Sequence, residues 1–250
     1  MTWKERKILV TGGSRGIGRA ITSALLDRGV SRVAVAAEET SPPDWDSFAD
    51  RGAVYFSSDL SRESTPGALV REAAERLGGI DGLVHCAGVY PEANPGDRTT
   101  LDLWEETMNV KARAGYLLAH EFARVAEEGG SFVGVTSINA EQSEPRHLAY
   151  DPACAALAGV IRACAIEHAP RLRFNAVAPG LIHTRLTEGL QDSPGERKHA
   201  EDNIPMRRIG QPEDCAGAVL FLLGEESDYV TGETIFVDGG IRANQMSRPS

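Results

Sequence analysis

Tyr150 stands in the stretch AYDPACAALAGV (149–160), directly before Asp151 and Pro152 and four residues before Cys154. Aspartate caps helices and proline is favoured at the first helical position, so the stretch predicts a helix whose first position is Pro152, with Tyr150 at its mouth. A tyrosine there can give or take a proton if something nearby sets its acidity. A free phenol has a pKa near 10, so only about one molecule in a thousand is phenolate at pH 7. A nearby ammonium would favour phenolate. The Cys154 thiol, with a reference pKa of about 8.5, is neutral or negative and works the wrong way. Cys154 can also be read as a nucleophile near a helix N-terminus. No general base stands beside it in sequence, so a small packing residue is the favoured reading.

A second stretch with chemical content is TGGSRGIGRAI (11–21), with glycines at 12, 13, 16 and 18. Such glycines let the backbone turn tightly and approach a diphosphate, and the helix that follows offers free N–H groups. The spacing is Gly-x-x-x-Gly-x-Gly, with an apolar run before it and a helical pattern after it, the context a nucleotide turn requires. Two further candidates are weaker. His147 is a possible proton carrier one turn before Tyr150, but within SEPRHLA it reads as a surface loop residue. Lys111 points to a different helix face from Asn109 by the helical period and is set aside.

These residues need a frame, and the chain supplies one. Apolar β-rich runs at 7–12, 32–37, 53–59, 82–88, 131–137, 173–180 and 234–240 alternate with amphipathic stretches such as 20–29, 64–79, 103–128 and 212–224. That alternation predicts a parallel sheet covered by helices on both faces. Several runs are apolar throughout, as strands buried on both sides should be. No repeat or linker divides the 250 residues, so one domain is expected. The longest irregular piece, Leu181 to Gln211, is expected to be a lid over the site.

Composition excludes several function classes. A formal charge of −10 argues against nucleic acid or an anionic membrane as partner. No long apolar run can span a bilayer, and the N-terminus lacks a small-residue cleavage site, so a cytoplasmic protein is expected. Cys86, Cys154, Cys164 and Cys215 have no paired metal-ligand spacing and read as buried reduced thiols. No metal site is expected.

With HCAG (85–88), NVKA (109–112), VAPGLIHT (177–184) and the run from Arg208 to Gly240 added to the glycine turn, the chain resembles the short-chain dehydrogenase/reductase family from about Arg6 to Gly240. It looks most like the bacterial branch that holds 3-oxoacyl-carrier-protein reductases. The resemblance implies an α/β fold, a single doubly wound Rossmann-type domain over residues 1–250 with a seven-stranded parallel sheet, and a nicotinamide cofactor, NAD(P)(H), across the strand ends. Cofactor contacts would come from Gly12, Ser14, Arg15, Gly16, Ile17 and Gly18 in the turn, and from Ala37 and Glu38 after the second strand. Asp59 and Leu60 would meet the adenine, Ala87 and Gly88 the ribose, and Pro179, Gly180, Ile182 and Thr184 the nicotinamide. A carboxylate at Glu38 would repel a 2′-phosphate, whereas Arg15 would hold one. The reading leans to NAD(H).

In the family's reaction a tyrosine handles the proton of a substrate oxygen, a serine holds that oxygen, a lysine tunes the tyrosine and an asparagine supports the lysine. Ser137, Tyr150 and Asn109 fall in register with this pattern. Cys154 occupies the lysine position. Losing tuned acid–base help typically costs about 10²–10⁴ in rate. A neutral phenol can still donate a proton, so reduction of a small-molecule carbonyl is the leading reading. Two alternatives remain: non-redox dehydration, cyclisation or isomerisation on the same fold, or nucleotide binding without catalysis. EEGG (127–130) stands where basic residues would meet an acidic carrier, with Arg171 and Arg173 as the alternative cations or as decoration of the strand entry. A free carbonyl or alcohol substrate is therefore favoured. The resemblance also implies a homotetramer, or a homodimer, formed through the helices carrying Asn109 and Tyr150 and the last strand, with 241–250 as a tail that is disordered or reaches a neighbouring subunit.

Overall fold

The computed structural model describes residues 2–42, 44–91, 99–187 and 194–244. Each of the seven apolar runs contains a strand: β1 Lys7–Thr11, β2 Arg32–Ala37, β3 Val54–Ser57, β4 Gly82–His85, β5 Ser131–Val135, β6 Arg173–Pro179 and β7 Thr234–Val237. All neighbouring pairs are parallel, in the order β3-β2-β1-β4-β5-β6-β7. This is the doubly wound sheet that the sequence implied. The order reverses direction between β1 and β4, where sheets of this class open a crevice outside the strand ends.

Most strands stop before their apolar run does. Gly12, Asp59, Cys86 to Gly88, Ser137 and Gly180 belong to the runs but lie beyond the last paired residue. Their side-chain types resemble strand; their position is past the edge of the sheet, where the Gly12, Cys86 and Gly180 N–H groups still bond to the Ala36, Thr11 and Val237 carbonyls of neighbouring strands while the chain turns toward the helices.

Helices cover both faces. On one side lie α1 Gly16–Asp27 and a C-terminal helix, Pro212–Leu223, burying Ile21, Leu25, Val219 and Leu222 against β1, β2 and β5. On the other lie α3 Thr65–Leu77, α5 Ala114–Val125 and α6 Tyr150–His168, with Leu69, Leu118, Phe122, Leu157 and Ile161 on the sheet. The short α2, Asp46–Ala49, follows β2. Phe132 and Phe174, on adjacent strands, stack at 5.4 Å under Phe122. Two glycines let α6 come close: a Cβ at Gly134 would stand 2.5 Å from Ile161 Cδ1, and one at Gly115 would stand 2.5 Å from Leu157 Cδ1.

The amphipathic stretch at 103–128 is not one regular helix. It runs as α4 Thr99–Thr107, a π-helical turn Met108–Arg113, then α5. In the π turn the Ala114 N–H reaches back five residues to the Asn109 carbonyl. A π turn holds one more residue than an α turn, so side chains across it leave the 3.6-residue schedule.

Three local expectations are corrected. The helix of Tyr150 starts at Tyr150 itself, and Asp151 does not cap it. The Asp151 carboxylate instead accepts from Asn139 Nδ2 at 2.8 Å and from the Glu144 backbone N–H at 3.0 Å, tying the loop after β5 to α6. The Leu181–Gln211 piece is not irregular throughout: it holds a helix, α7 Pro194–Asn203, so that the Pro212–Leu223 helix is α8. The sequence PGERKHAEDN is polar on every side and carries no apolar period to read. Both ends of that piece are clamped together, His183 N–H to the Gly210 carbonyl at 2.8 Å and Gly210 N–H to the Leu181 carbonyl at 3.0 Å. Of the 241–250 tail, residues 245–250 lie outside the described residues.

Because Ile161 of α6 packs on Gly134, a larger residue there must displace that side chain. Gly134→Val is expected to lower stability by about 1–3 kcal/mol in urea denaturation. Wild-type stability in that variant would show that the contact is slack.

Candidate active site

A cleft of about 1150 Å³ runs along the C-terminal edge of the sheet. The first glycine turn forms one wall, with Gly12, Ser14, Arg15, Gly16, Ile17 and Gly18. The turn needs its glycines. Gly16 has φ +49°, and a Cβ on Gly18 would fall 2.1 Å from the Gly12 carbonyl oxygen. Arg15, at the N-cap of α1, has extended backbone and makes no side-chain cap. The first-turn N–H groups of a twelve-residue helix are thus left without a capping side chain where they border the cleft, which suits a diphosphate. The residues present fit a pyridine dinucleotide.

Beyond β2 the cleft meets Ala37, Glu38 and Glu39. Glu38 is exposed. Glu39 is half-buried and accepts from Arg15 Nε at 2.5 Å and Ser14 Oγ at 3.0 Å. Burial pushes the Glu39 carboxyl up, yet the bonds from Arg15, its own backbone and Ser14 outweigh it and hold the group below its ordinary range. Tyr55 donates to the Glu39 carbonyl, and burial together with the Glu39 charge raises its phenol to about 12. Beyond β3, Asp59 and Leu60 line the cleft. The Asp59 carboxylate accepts from the Ser61 N–H and hydroxyl and from Arg62, and the Ser61 bond chiefly keeps its pKa low. It both stops its own turn and borders the cleft.

Ala87 and Gly88 follow β4, and Pro179, Gly180, Ile182 and Thr184 follow β6, on the same cleft. Every residue that the resemblance assigned to the cofactor therefore lies along one continuous wall. Of the three residues assigned to catalysis, Ser137 and Tyr150 line the cleft, while Asn109 does not; nor does Cys154, at the lysine position.

Ser137, at the end of the β5 run, is buried, and its hydroxyl oxygen accepts from the Asn139 N–H at 3.1 Å. Tyr150 opens α6, half-buried, with the Tyr90 ring edge-on at 4.8 Å. Asn139 and Asp151, through their mutual bond, hold the serine loop against the helix of the tyrosine. Sequence reasoning took Asp151 for a cap and did not single out Asn139. The spacing of twelve residues between them carries no signal of contact.

The Tyr150 hydroxyl is pushed well above its ordinary range. Burial is the largest cause, the adjacent Cys154 sulfur the next, and the Ser137 hydroxyl pulls the other way. Cys154 is fully buried one turn along α6. Burial raises its thiol as well, with Lys111 pulling it down, so it stays protonated and behaves as the packing residue its sequence context suggested.

Two side chains differ from expectation. His147 is not a surface residue: it is buried, with its ring 4.8 Å from Tyr90 and 6.2 Å from Tyr150. Its Nδ1 is 3.4 Å from Glu144 Oε2, within ion-pair range but without hydrogen-bond geometry. Lys111 does not point away from the site. It is 4% exposed and lines the cleft together with Val110. The period put it on another face than Asn109, and the two do part: Lys111 lines the cleft while Asn109 does not, so it is Asn109 that was expected on the wrong side.

The remaining cysteines are free, with Cys215 buried and Cys86 and Cys164 half-buried. Among the described residues no group of His, Cys, Asp or Glu could hold a metal ion, and no helix is long and apolar enough to cross a membrane.

Comparison with known proteins agrees with this geometry. The profile of the enoyl-(acyl carrier protein) reductase family matches residues 12–242. Glucose 1-dehydrogenase of Gluconobacter oxydans is 32% identical, covering 94% of this chain and 91% of its own. The 3-oxoacyl-acyl-carrier-protein reductase FabG of Vibrio harveyi is 32% identical, covering 95% and 98%. Among solved structures, a blue fluorescent protein from a metagenomic library in complex with NADPH superposes with a TM-score of 0.87 at 28% identity, covering 96% and 99%. The chain belongs to the short-chain dehydrogenase/reductase family of NAD(P)-dependent oxidoreductases.

Proposed function

We propose that this protein reduces the carbonyl group of a free small molecule, with NADH as the preferred hydride donor. The observation that carries the direction is the Tyr150 phenol, held in its protonated form by burial and by a thiol neighbour. When bound, the nicotinamide supplies the hydride to the carbonyl carbon. Ser137 and Tyr150 donate hydrogen bonds to the carbonyl oxygen, and Tyr150 passes its proton to that oxygen as negative charge develops there. Asn139 and Asp151 keep the two hydroxyls in register. The reverse reaction needs phenolate as a base, which this pocket disfavours.

The glycine turn, Ala37, Glu38, Asp59, Leu60, Ala87, Gly88 and the segment Pro179 to Thr184 are proposed to hold the dinucleotide. Preference for NADH over NADPH rests on Arg15, whose guanidinium is already paired with Glu39, and on the exposed carboxylate of Glu38. A 2′-phosphate would have to displace one carboxylate and sit beside another. We propose that residues 181–211 cover the substrate: Ala200, Asn203 and Ile204 of that segment border the cleft. A carrier protein is not favoured. Arg173 is buried on the Leu222 and Gly224 carbonyls and the Ser227 hydroxyl, and Arg171 is spent on the Ala123 and Ala126 carbonyls. A homotetramer or homodimer through α5, α6 and β7 belongs to the proposal, supported by Tyr116 and Ile166 exposed on the helices and by β7 at the sheet edge. Four free cysteines accord with a reducing, cytoplasmic setting.

A protonated phenol also suits a non-redox role, in which Ser137 and Tyr150 only donate hydrogen bonds. Turnover with unchanged nicotinamide absorbance would select that reading. On the leading one, the protein consumes NADH with at least one member of a ketone and aldehyde panel, and Tyr150→Phe lowers kcat/KM about 10²-fold or more. Activity unaffected by that change would remove Tyr150 from the mechanism.

The pH dependence has a defined sign. An acid catalyst works while protonated, and the Tyr150 pKa is raised, so its protonated window extends upward past pH 10. Reductive kcat should show no falling limb from this group below about pH 10. Cys154→Lys should bring such a limb into the measurable range. A wild-type limb near neutrality that Cys154→Lys leaves in place would contradict this.

Glu39→Gln releases Arg15. The ratio of NADPH to NADH affinity, measured by fluorescence titration, is expected to rise about tenfold, about 1.4 kcal/mol. An unchanged ratio would mean that the pairing does not set cofactor choice.

A further inference from the structure

Lys111 is a long cationic side chain, 4% exposed, with no hydrogen bond or ion pair to any described residue. Its stem is buried while its head borders the cleft, and an ammonium held there with no protein partner is a functional candidate. Its placement is built rather than accidental. It lies in the π turn, and His85 anchors that turn: His85 Nε2 donates to the Lys111 carbonyl at 3.0 Å, while Nδ1 accepts from the Thr11 hydroxyl at 2.9 Å. That assignment follows because a carbonyl only accepts. Burial, followed by the Lys111 charge, lowers the ring to about 4, so His85 is a neutral fixture. The ammonium reaches the cleft at Gly88, where even a methyl group would stand 3.1 Å from Nζ. It faces Cys86 and Cys154, whose thiols it pulls down against their burial.

We propose that Lys111 is the cation of this active site, delivered from the π turn to serve where α6 offers only Cys154. Its charge is felt at the Cys154 thiol, which neighbours the Tyr150 hydroxyl. It acts on Tyr150 across that sulfur, stabilising the negative charge left on the phenol oxygen when the proton departs. Its three N–H donors also face the cleft beside Gly88, where hydroxyl groups of a bound dinucleotide are the fitting acceptors. The site thus keeps an electrostatic function that is legible neither from the residue four after the tyrosine nor from a regular helical period.

This inference rests on the reductase reading, and the test separates the two. Four proteins are compared: wild type, Lys111→Met, Cys154→Lys and the double variant. Each is measured for melting temperature, for NADH binding by fluorescence titration, and for kcat and KM of carbonyl reduction. Lys111→Met is expected to melt at or above the wild-type temperature, to bind NADH about tenfold more weakly, and to lose about 10²-fold in kcat. The double variant, which moves the ammonium from one helix to the other, should recover most of both losses. A Lys111→Met protein with wild-type binding and kcat overturns the proposal. So does one that melts well below wild type and is not rescued by the second substitution, since the lysine would then be structural. If wild type reduces no carbonyl, the reductase reading fails, and the binding and melting measurements still decide the place of Lys111.

Discussion

A buried phenol with no cation against its oxygen is the constraint on which the rest of this site depends. Burial and the Cys154 sulfur both keep the Tyr150 proton in place, and only the Ser137 hydroxyl opposes them. Such a group is a competent acid and a poor base. A cation does border the cleft: Lys111, on the neighbouring helix, whose charge acts on the Cys154 thiol. The chemistry is therefore polarised toward proton donation. The electrostatics favour one direction of catalysis without changing the overall equilibrium.

The scaffold produces this arrangement with few devices. Parallel strands of matched register end on a common edge, with Thr11 level with Ala36 and His85, so the residues just past each end converge. Gly134 and Gly115 let α6 settle close to the sheet and to α5, which sets the depth of Tyr150. The Asp151–Asn139 bond fixes the serine loop to that helix. The π turn carries Lys111 on its cleft side, and His85 pins the turn to β1 and β4. At the other end of the cleft, Glu39 occupies Arg15 before any phosphate can. Charge is thus placed at both ends, paired at Arg15 and bordering the cleft at Lys111, and each placement biases what can bind or react there.

Much of this was legible from residues alone. The seven apolar runs located every strand, because a strand buried on both faces must be apolar throughout. The glycine turn was readable because its spacing came with a strand before and a helix after. The runs overshot at Cys86 to Gly88 and at Ser137 for one physical reason: residues that line the cleft past a strand end share the small or apolar character of the strand itself. Other features left no such mark. The helix Pro194–Asn203 has no apolar stripe, and periodicity is blind to it. Asp151 satisfied the rule for a cap while its carboxylate was engaged by a distant loop. Lys111 was set aside because it faces away from Asn109, and it does; the face that borders the cleft is that of Lys111, which the spacing NVKA does not reveal. His147, in a polar segment, is buried by tertiary packing against Tyr90.

The central claim concerns one proton, and it can be observed directly. Protein labelled with carbon-13 at the tyrosine Cζ position, with the Tyr150 signal assigned through Tyr150→Phe, reports by NMR whether that side chain is phenol or phenolate. With NADH bound, the account predicts a Tyr150 signal that stays at the phenol position from neutral pH to beyond pH 10. A shift to the phenolate position near neutrality would contradict it.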